Sequence, residues 1–175
     1  EAVYDGTPKR VGAVTEPAGP AVAITYDGAD AAPTAAGLHA VVATVVDSNH
    51  AGSATGTLVV ARADQEIVFP ALSDVFSSDV VGVSATASSG LPVVFQVLEG
   101  PAELNGGTLT FTGTGTVTVA ACQGGDANWN PARIVVQSFA VEAPRPVPSF
   151  HKASVNVREA GEGRIPVRLS MEPAS

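Results

Sequence analysis

An alternation of apolar residues with threonine between residues 106 and 119 constrains the fold more than any other feature. Leu109 and Phe111 alternate with threonines, and Val117 and Val119 do the same a few residues later. A period of two places successive side chains on opposite faces of a β-strand. We therefore predict two strands, joined by a hairpin turn at the Gly-Thr-Gly of residues 113–115.

No stretch of the sequence has helical periodicity over about ten residues, the length of a typical short helix. The chain contains 18 glycines and 13 prolines, and only 5% of its residues are aromatic. Abundant valine and threonine favour strands, whereas glycine and proline favour turns. A length of 175 residues allows one large domain or two to three small ones. We predict an all-β protein of tandem small β-sandwich (Ig-like) or β-rich modules joined by short linkers.

The first segment, residues 1–62, is predicted to be a module of short strands. The best candidates are residues 21–26 and 38–46, and residues 57–61 are expected to form the closing strand. Asp-Gly pairs follow Tyr4 and Tyr26, and each pair suits a tight turn that requires positive φ.

The second segment, residues 63–142, is predicted to be a β-sandwich that begins with the strand 67–69 and ends with the strand 134–141. Cys122 ends an alternating strand, and we expect it to be a small core residue. As the chain's single cysteine, it excludes an internal disulfide.

Two turns in these segments share a pattern, Asp47-Ser48-Asn49-His50 and Asp126-Ala127-Asn128-Trp129. We expect an Asp-x-Asn turn held by side-chain-to-backbone hydrogen bonds, followed by a ring that tucks over the sheet edge. The short join at residues 61–64 predicts a semi-rigid pair of modules.

Three prolines within residues 143–148 predict a stiff linker. Residues 149–175 beyond it are too few for an independent core and are expected to be the truncated start of a third module. Since the chain begins without a signal peptide, we expect it to be an excerpt from a longer polypeptide.

Residues 1–62 resemble an MBG-type repeat, a module found in tandem in large secreted or surface-attached bacterial proteins. The resemblance is carried by an ordered series of phrases: Val3-Tyr4-Asp5-Gly6-Thr7-Pro8-Lys9, Thr15-Glu16-Pro17-Ala18-Gly19, Ile24-Thr25-Tyr26-Asp27-Gly28, Ala32-Pro33-Thr34-Ala35-Ala36-Gly37 and Gly52-Ser53-Ala54-Thr55-Gly56-Thr57-Leu58.

Residues 63–142 resemble the Ig-like module that often follows such a repeat. The matching phrases are Gln65-Glu66-Ile67-Val68-Phe69, Ala87-Ser88-Ser89-Gly90-Leu91-Pro92-Val93, Gly125-Asp126-Ala127-Asn128-Trp129-Asn130-Pro131-Ala132 and Gln137-Ser138-Phe139-Ala140-Val141.

Residues 150–169 are similar to the start of a Calx-β module. In calcium-binding members of that family, the acidic residue that matches Glu159 can be a ligand. The remaining ligands would lie beyond Ser175, so Glu159 is a candidate only in a complete module.

The sequence predicts no metal site, cofactor or catalytic site within these segments. Asp126 opens a run that superficially resembles an EF-hand loop, but Pro131 and Gln137 stand where that loop needs glycine and glutamate. The histidines, His39, His50 and His151, lack metal-ligand spacing. Glu99 and Glu103 could pair for glycoside chemistry, but the sequence has few aromatic residues to wall a cleft.

Trp129 is the one candidate ligand-binding residue. Its ring either forms a stacking platform for a sugar or a protein contact, or covers the end of a sheet. We favour the structural interpretation because large rings are mostly buried.

The net charge of −8 disfavours nucleic-acid binding, and no apolar run is long enough for membrane insertion. We expect a non-enzymatic spacer or stalk region of a large exported bacterial surface protein, located outside the cell or on its surface. The alternative is an adhesin or carbohydrate-binding module. Expected partners are neighbouring domains of the same polypeptide and, in the alternative, an extracellular glycan or protein.

Overall fold

The computed structural model describes residues 1–144, which form one compact unit. The linker beyond Pro144 and the Calx-β-like segment lie outside the described residues, and so do the candidate residues Glu159 and His151. In this part of the chain all regular structure is β, which confirms the all-β prediction. The strands are β1 (Ala2–Val3), β2 (Ala21–Tyr26), β3 (Gly37–Val46), β4 (Ser53–Ala61), β5 (Ile67–Val68), β6 (Val75–Phe76), β7 (Val80–Gly82), β8 (Thr86–Ala87), β9 (Val94–Glu99), β10 (Ala102–Asn105), β11 (Thr108–Phe111), β12 (Gly115–Cys122) and β13 (Val135–Glu142).

The first four strands form one sheet, called the N-terminal sheet, in the order β1-β4-β3-β2. β2, β3 and β4 are antiparallel neighbours, whereas β1 runs parallel to β4. The turn after β2 has positive φ at Asp27 and Gly28, and Tyr26 and Ala29 exchange hydrogen bonds across it. This is the tight Asp-Gly turn predicted from the sequence.

One face of the N-terminal sheet carries a small core. Tyr26, Val41, Leu58 and Val60 are buried there. The segment before β2 covers part of this face, and the backbone N–H of Val11 donates to the Tyr26 hydroxyl at 2.9 Å. A core of four buried side chains is small for one sheet, so we expect contacts with the rest of the chain to contribute to the stability of the sheet.

Residues 63–142 form a sandwich, called the C-terminal sandwich. Its main sheets have the orders β10-β11-β7 and β6-β13-β12-β9, and β5 and β8 form a separate antiparallel pair. Leu109 on one sheet and Val117 and Val119 on the other are fully buried in a shared core. The rings of Phe111 and Phe139 meet edge to face within that core, 5.9 Å apart.

The predicted hairpin at residues 113–115 is wrong. β11 pairs with β10 and β7, while β12 pairs with β13 and β9, so the turn carries the chain from one sheet to the other. Alternation shows which face of each strand is apolar, but two apolar faces can meet across a core as readily as side by side. The local hairpin is instead β10–β11, whose two-residue turn at Gly106 and Gly107 has positive φ at both positions.

Cys122 is not a core residue, contrary to expectation. Val117, Val119 and Ala121 point into the core, so Cys122 has the opposite parity and lies half-buried on the outer face of β12. The period of two, carried one residue further, would have placed it there.

Candidate functional site at the junction

The chain passes from the N-terminal sheet to the C-terminal sandwich through residues 61–64, which contact the turn at residues 126–130. We call these two segments the junction. The turn is built locally, because Asp126 Oδ1 accepts the backbone N–H groups of Asn128 and Trp129, both at 2.8 Å. Asp47 Oδ1 accepts from Asn49 and His50 at 2.8 and 2.9 Å in the same way. The prediction of a common Asp-x-Asn turn is confirmed.

At the first of these turns, the prediction that the following ring tucks over a sheet edge is wrong. His50 is exposed, and its Nδ1 lies 2.8 Å from Asp47 Oδ1 instead of tucking over a sheet edge. This bond, with the backbone bond from Asn49, lowers the pKa of Asp47.

Backbone hydrogen bonds tie the connecting segment to the 126–130 turn. The N–H of Ala63 donates to the carbonyl of Asn128 at 2.9 Å, and Asn130 donates back to Ala63 at 2.8 Å. The Asn130 side chain also donates to Asp64 Oδ1 at 2.8 Å. Because each bond spans more than sixty residues of sequence, the join is fixed by tertiary contact as well as by its shortness.

Asn128 also reaches the N-terminal sheet. Its side-chain Oδ1 accepts the backbone N–H of Ala36 at 2.9 Å. Ala36 lies in the loop that leads into β3, so one asparagine contacts the loop through its side chain and the connector through its carbonyl.

Trp129 completes the junction. It is half-buried, and its ring lies 5.6 Å from that of Tyr4 at an interplanar angle of 81°, an edge-to-face contact. The backbone N–H of Tyr4 donates to the carbonyl of Ala61 at 2.9 Å. The sequence pattern located the Trp129 turn but gave no sign of this partner. The use of Trp129 as a ligand platform stays a prediction.

Sequence reasoning missed Gln65, the one buried polar residue among residues 1–144, which is 6% exposed. Its Nε2 donates to Gln123 Oε1 at 2.6 Å and to the Asn130 carbonyl at 2.7 Å, and its Oε1 accepts from the Ser89 hydroxyl. A buried amide is tolerated when its hydrogen bonds are satisfied, as they are here. Gln65 thus links the start of the sandwich to the strand end that precedes the junction turn.

His39 on β3 makes two polar contacts. Nδ1 lies 2.8 Å from Asp27 Oδ2, and Nε2 lies 3.1 Å from the carbonyl oxygen of Ala35. These bonds, that to Asp27 first, raise the pKa of His39. The same bond and the backbone N–H of Ala40 lower the pKa of Asp27.

The remaining charged residues of the described part of the chain are not grouped into a site. Lys9 forms an ion pair with Asp5 at 2.6 Å, and that hydrogen bond with those from Thr7 holds the pKa of Asp5 well below its usual range. Glu99 and Glu103 are exposed on β9 and β10. Within residues 1–144, no three histidine, cysteine or acidic residues are grouped so that they could hold a metal ion.

Two open grooves lie on the described surface. One, of about 360 Å³, lies over the N-terminal sheet and has no titratable side chain in its lining. The other, of about 270 Å³, lies beside the junction, and Arg62 is its one charged lining residue. No helix among residues 1–144 has the length and apolar character needed to cross a membrane.

Comparison with known protein families gives a match for the first part of the chain. Residues 1–64 match the MBG domain family, a type of domain typical of extracellular proteins. Comparison with curated proteins gives no match. Among solved structures, the chain is similar to human protocadherin-24 EC1-2, form II, at 19% identity and a TM-score of 0.36, over 62% of this chain and 67% of that one. A second structure of human protocadherin-24 EC1-2 is similar at 17% identity, with the same coverage and TM-score. Residues 1–64 are thus similar to the MBG domain family, which suggests a surface repeat domain, and they are followed by further β structure in residues 65–144.

Proposed function

We propose that this chain is a spacer region of a large exported bacterial surface protein. In this proposal residues 63–142 are an Ig-like module, residues 149–175 begin a Calx-β-like module, and none of the three is an enzyme. The MBG match over residues 1–64 supports a surface repeat. Its function lies in holding other domains at a set distance.

The observation that carries this proposal is the junction itself. A spacer must resist bending where its modules meet, and hydrogen bonds there join Ala63 to Asn128 and Asn130, and Ala36 to Asn128. The ring contact of Tyr4 with Trp129 adds an apolar brace of about 0.5 to 1.5 kcal/mol beyond the area that it buries. Together these contacts oppose hinge motion about residues 61–64.

A distance measurement tests the stiffness. Spin labels would be attached to cysteines introduced at two exposed positions, Ser53→Cys and Thr110→Cys, in a Cys122→Ala background. Double electron–electron resonance spectroscopy would then give the distribution of distances between the two labels. We expect one narrow distribution. A broad one in the otherwise unaltered chain would contradict the proposal.

The alternative, a glycan-binding or adhesin surface at Trp129, is tested with a matched pair of variants. Trp129→Ala and Tyr4→Ala both remove the ring contact, but only Trp129→Ala removes the stacking platform. A glycan and matrix-protein binding screen that finds a ligand, with binding lost in Trp129→Ala and kept in Tyr4→Ala, would favour the alternative. We expect no ligand in this screen.

A further inference from the structure

The His39 ring lies between two oxygen acceptors, and this arrangement depends on a proton. Asp27 Oδ2 faces Nδ1 at 2.8 Å, and the carbonyl oxygen of Ala35 faces Nε2 at 3.1 Å. An ionised carboxylate and a carbonyl can only accept, so both bonds form at once only when both ring nitrogens carry hydrogen. A neutral imidazole has one N–H and must leave a lone pair facing one of the two oxygens.

The bond to Ala35 is the one that deprotonation breaks. The carboxylate of Asp27 retains the remaining N–H, because a charged acceptor forms the stronger bond. Asp27 is itself held by the backbone N–H of Ala40 at 2.8 Å, so it stays in place beside β3. The carbonyl of Ala35 then loses its partner on the ring.

Ala35 is adjacent to the junction. The next residue, Ala36, donates its backbone N–H to Asn128 Oδ1 in the C-terminal sandwich. We infer that His39 is a proton-operated clasp, which in its charged form holds the loop of residues 29–36 in the position where Ala36 reaches Asn128, and which releases that loop when the ring becomes neutral. This regulation of stiffness deepens the proposed spacer function and rests on it for its biological meaning.

The surroundings of the ring support a single controlling group. Asp27 is the titratable side chain bonded to it, and Asp30 follows on the same exposed loop. On β4, Leu58 pairs with His39, and its neighbours Thr57 and Val59 are uncharged. Tyr26, at the end of β2, directs its hydroxyl to the backbone of Val11.

Nuclear magnetic resonance on the full 175-residue chain tests the clasp. The quantity measured is the protection of the Ala36 amide against hydrogen exchange, corrected for the intrinsic exchange rate at each pH. We expect this protection to fall by about five-fold or more from about pH 5.5 to about pH 8.5, which is the effect of losing about one hydrogen bond. The fall should follow the titration of the His39 ring. His39→Gln should remove the pH dependence, while His50→Gln, which alters a His–Asp pair away from the junction, should retain it.

Two results would overturn the inference. One is the same pH-dependent fall in His39→Gln as in the unaltered chain, and another is a His39 titration midpoint at or below that of an ordinary histidine. Asp27→Asn is a third variant, and it should lower the titration midpoint of His39. The spacer proposal fails separately, through a broad label distance distribution at about pH 5.5, where the clasp is closed.

Discussion

At the scale of single residues, Asp126 and Asp47 perform the same local task in different surroundings. Each carboxylate oxygen accepts two backbone N–H groups and closes a turn. The turn of Asp126 positions Asn128 and Trp129 against the N-terminal sheet, whereas the turn of Asp47 is exposed on all four of its residues. The two turns should therefore contribute differently to the free energy of unfolding, because only the turn of Asp126 positions residues that contact another part of the protein.

Asp126→Ala should lower the free energy of unfolding by about 1 to 2 kcal/mol, because two backbone donors lose their acceptor and the junction turn loosens. Urea unfolding followed by circular dichroism measures this change. Asp47→Ala should cost less, and Asp126→Asn, which keeps an oxygen acceptor, should cost less than Asp126→Ala. Equal losses for Asp47→Ala and Asp126→Ala would contradict this account.

The pH dependence of stability also belongs to individual residues. The pKa of His39 is raised on folding, so its stabilising effect is complete below its unfolded pKa and is lost as pH rises through the folded pKa. The pKa values of Asp27 and Asp47 are lowered, so their effect is present above the unfolded pKa and is lost as pH falls through the folded pKa.

We expect the unfolding free energy to be highest between about pH 4 and about pH 6.5 and to fall on either side. Urea midpoints measured across the pH range would reveal this maximum. In His39→Gln the decline on the alkaline side should be smaller. The decline on the acid side should also shrink, because Asp27 loses its bond to His39, but the part due to Asp47 should remain. A profile in which stability rises steadily above about pH 6.5 would refute the assignment of His39.

At the scale of strands, the crossing from β11 to β12 decides the architecture of the sandwich. Leu109 and Val117 are separated by a few residues of chain but lie on opposite sheets with no solvent exposure. Leu109→Ala should destabilise the chain by about 2 to 5 kcal/mol, since the removed methyl groups leave a cavity in a packed core. Val80→Ala on the neighbouring β7, where the side chain is 67% exposed, is the control and should change stability little. Thermal or urea unfolding compares the two.

Gly100 lies in the turn between β9 and β10, where it is packed closely against the backbone of β12. Its φ is +101°, and a Cβ there would overlap the Thr116 carbonyl and lie 2.7 Å from the Val117 Cα. Gly100→Ala should cost about 2 kcal/mol or more, from backbone strain plus displaced backbone. Gly6→Ala tests the strain alone, because Gly6 has φ +78° and open space around it, and it should cost about 1 kcal/mol. Similar losses at both positions in urea unfolding would show that close approach adds nothing.

At the scale of the whole molecule, the N-terminal sheet and the C-terminal sandwich differ in the number of hydrophobic residues that they bury. The N-terminal sheet buries four hydrophobic side chains, whereas the sandwich core contains ten buried residues. Regions with few buried apolar contacts open at lower free energy, so the sheet depends on the junction for part of its stability.

Asn128→Ala should therefore affect the two parts differently. It removes the side-chain acceptor of the Ala36 N–H but leaves the backbone bond to Ala63. Native-state hydrogen exchange should show lower protection around Val41 and Leu58 in the N-terminal sheet and little change around Val117 and Phe139. A uniform loss of protection across both parts would mean that they open as one unit, contrary to this expectation.

The sequence alone determined the features that short-range geometry controls. The strand 21–26 was predicted with the bounds that β2 has, and the Asp-Gly turn after it and the paired Asp-x-Asn turns were predicted correctly. Each depends on residues a few positions apart: alternation selects a strand, and a short side chain or a glycine selects a turn.

Only the tertiary structure decided which elements meet. It placed β11 beside β7 instead of β12, Trp129 against Tyr4, and the Gln65 amide within hydrogen-bonding reach of Gln123. In each case the partners are separated by more than twenty residues of chain, and many pairings would bury the same apolar faces equally well. The choice among them depends on how the whole chain packs, which no local pattern of residues encodes.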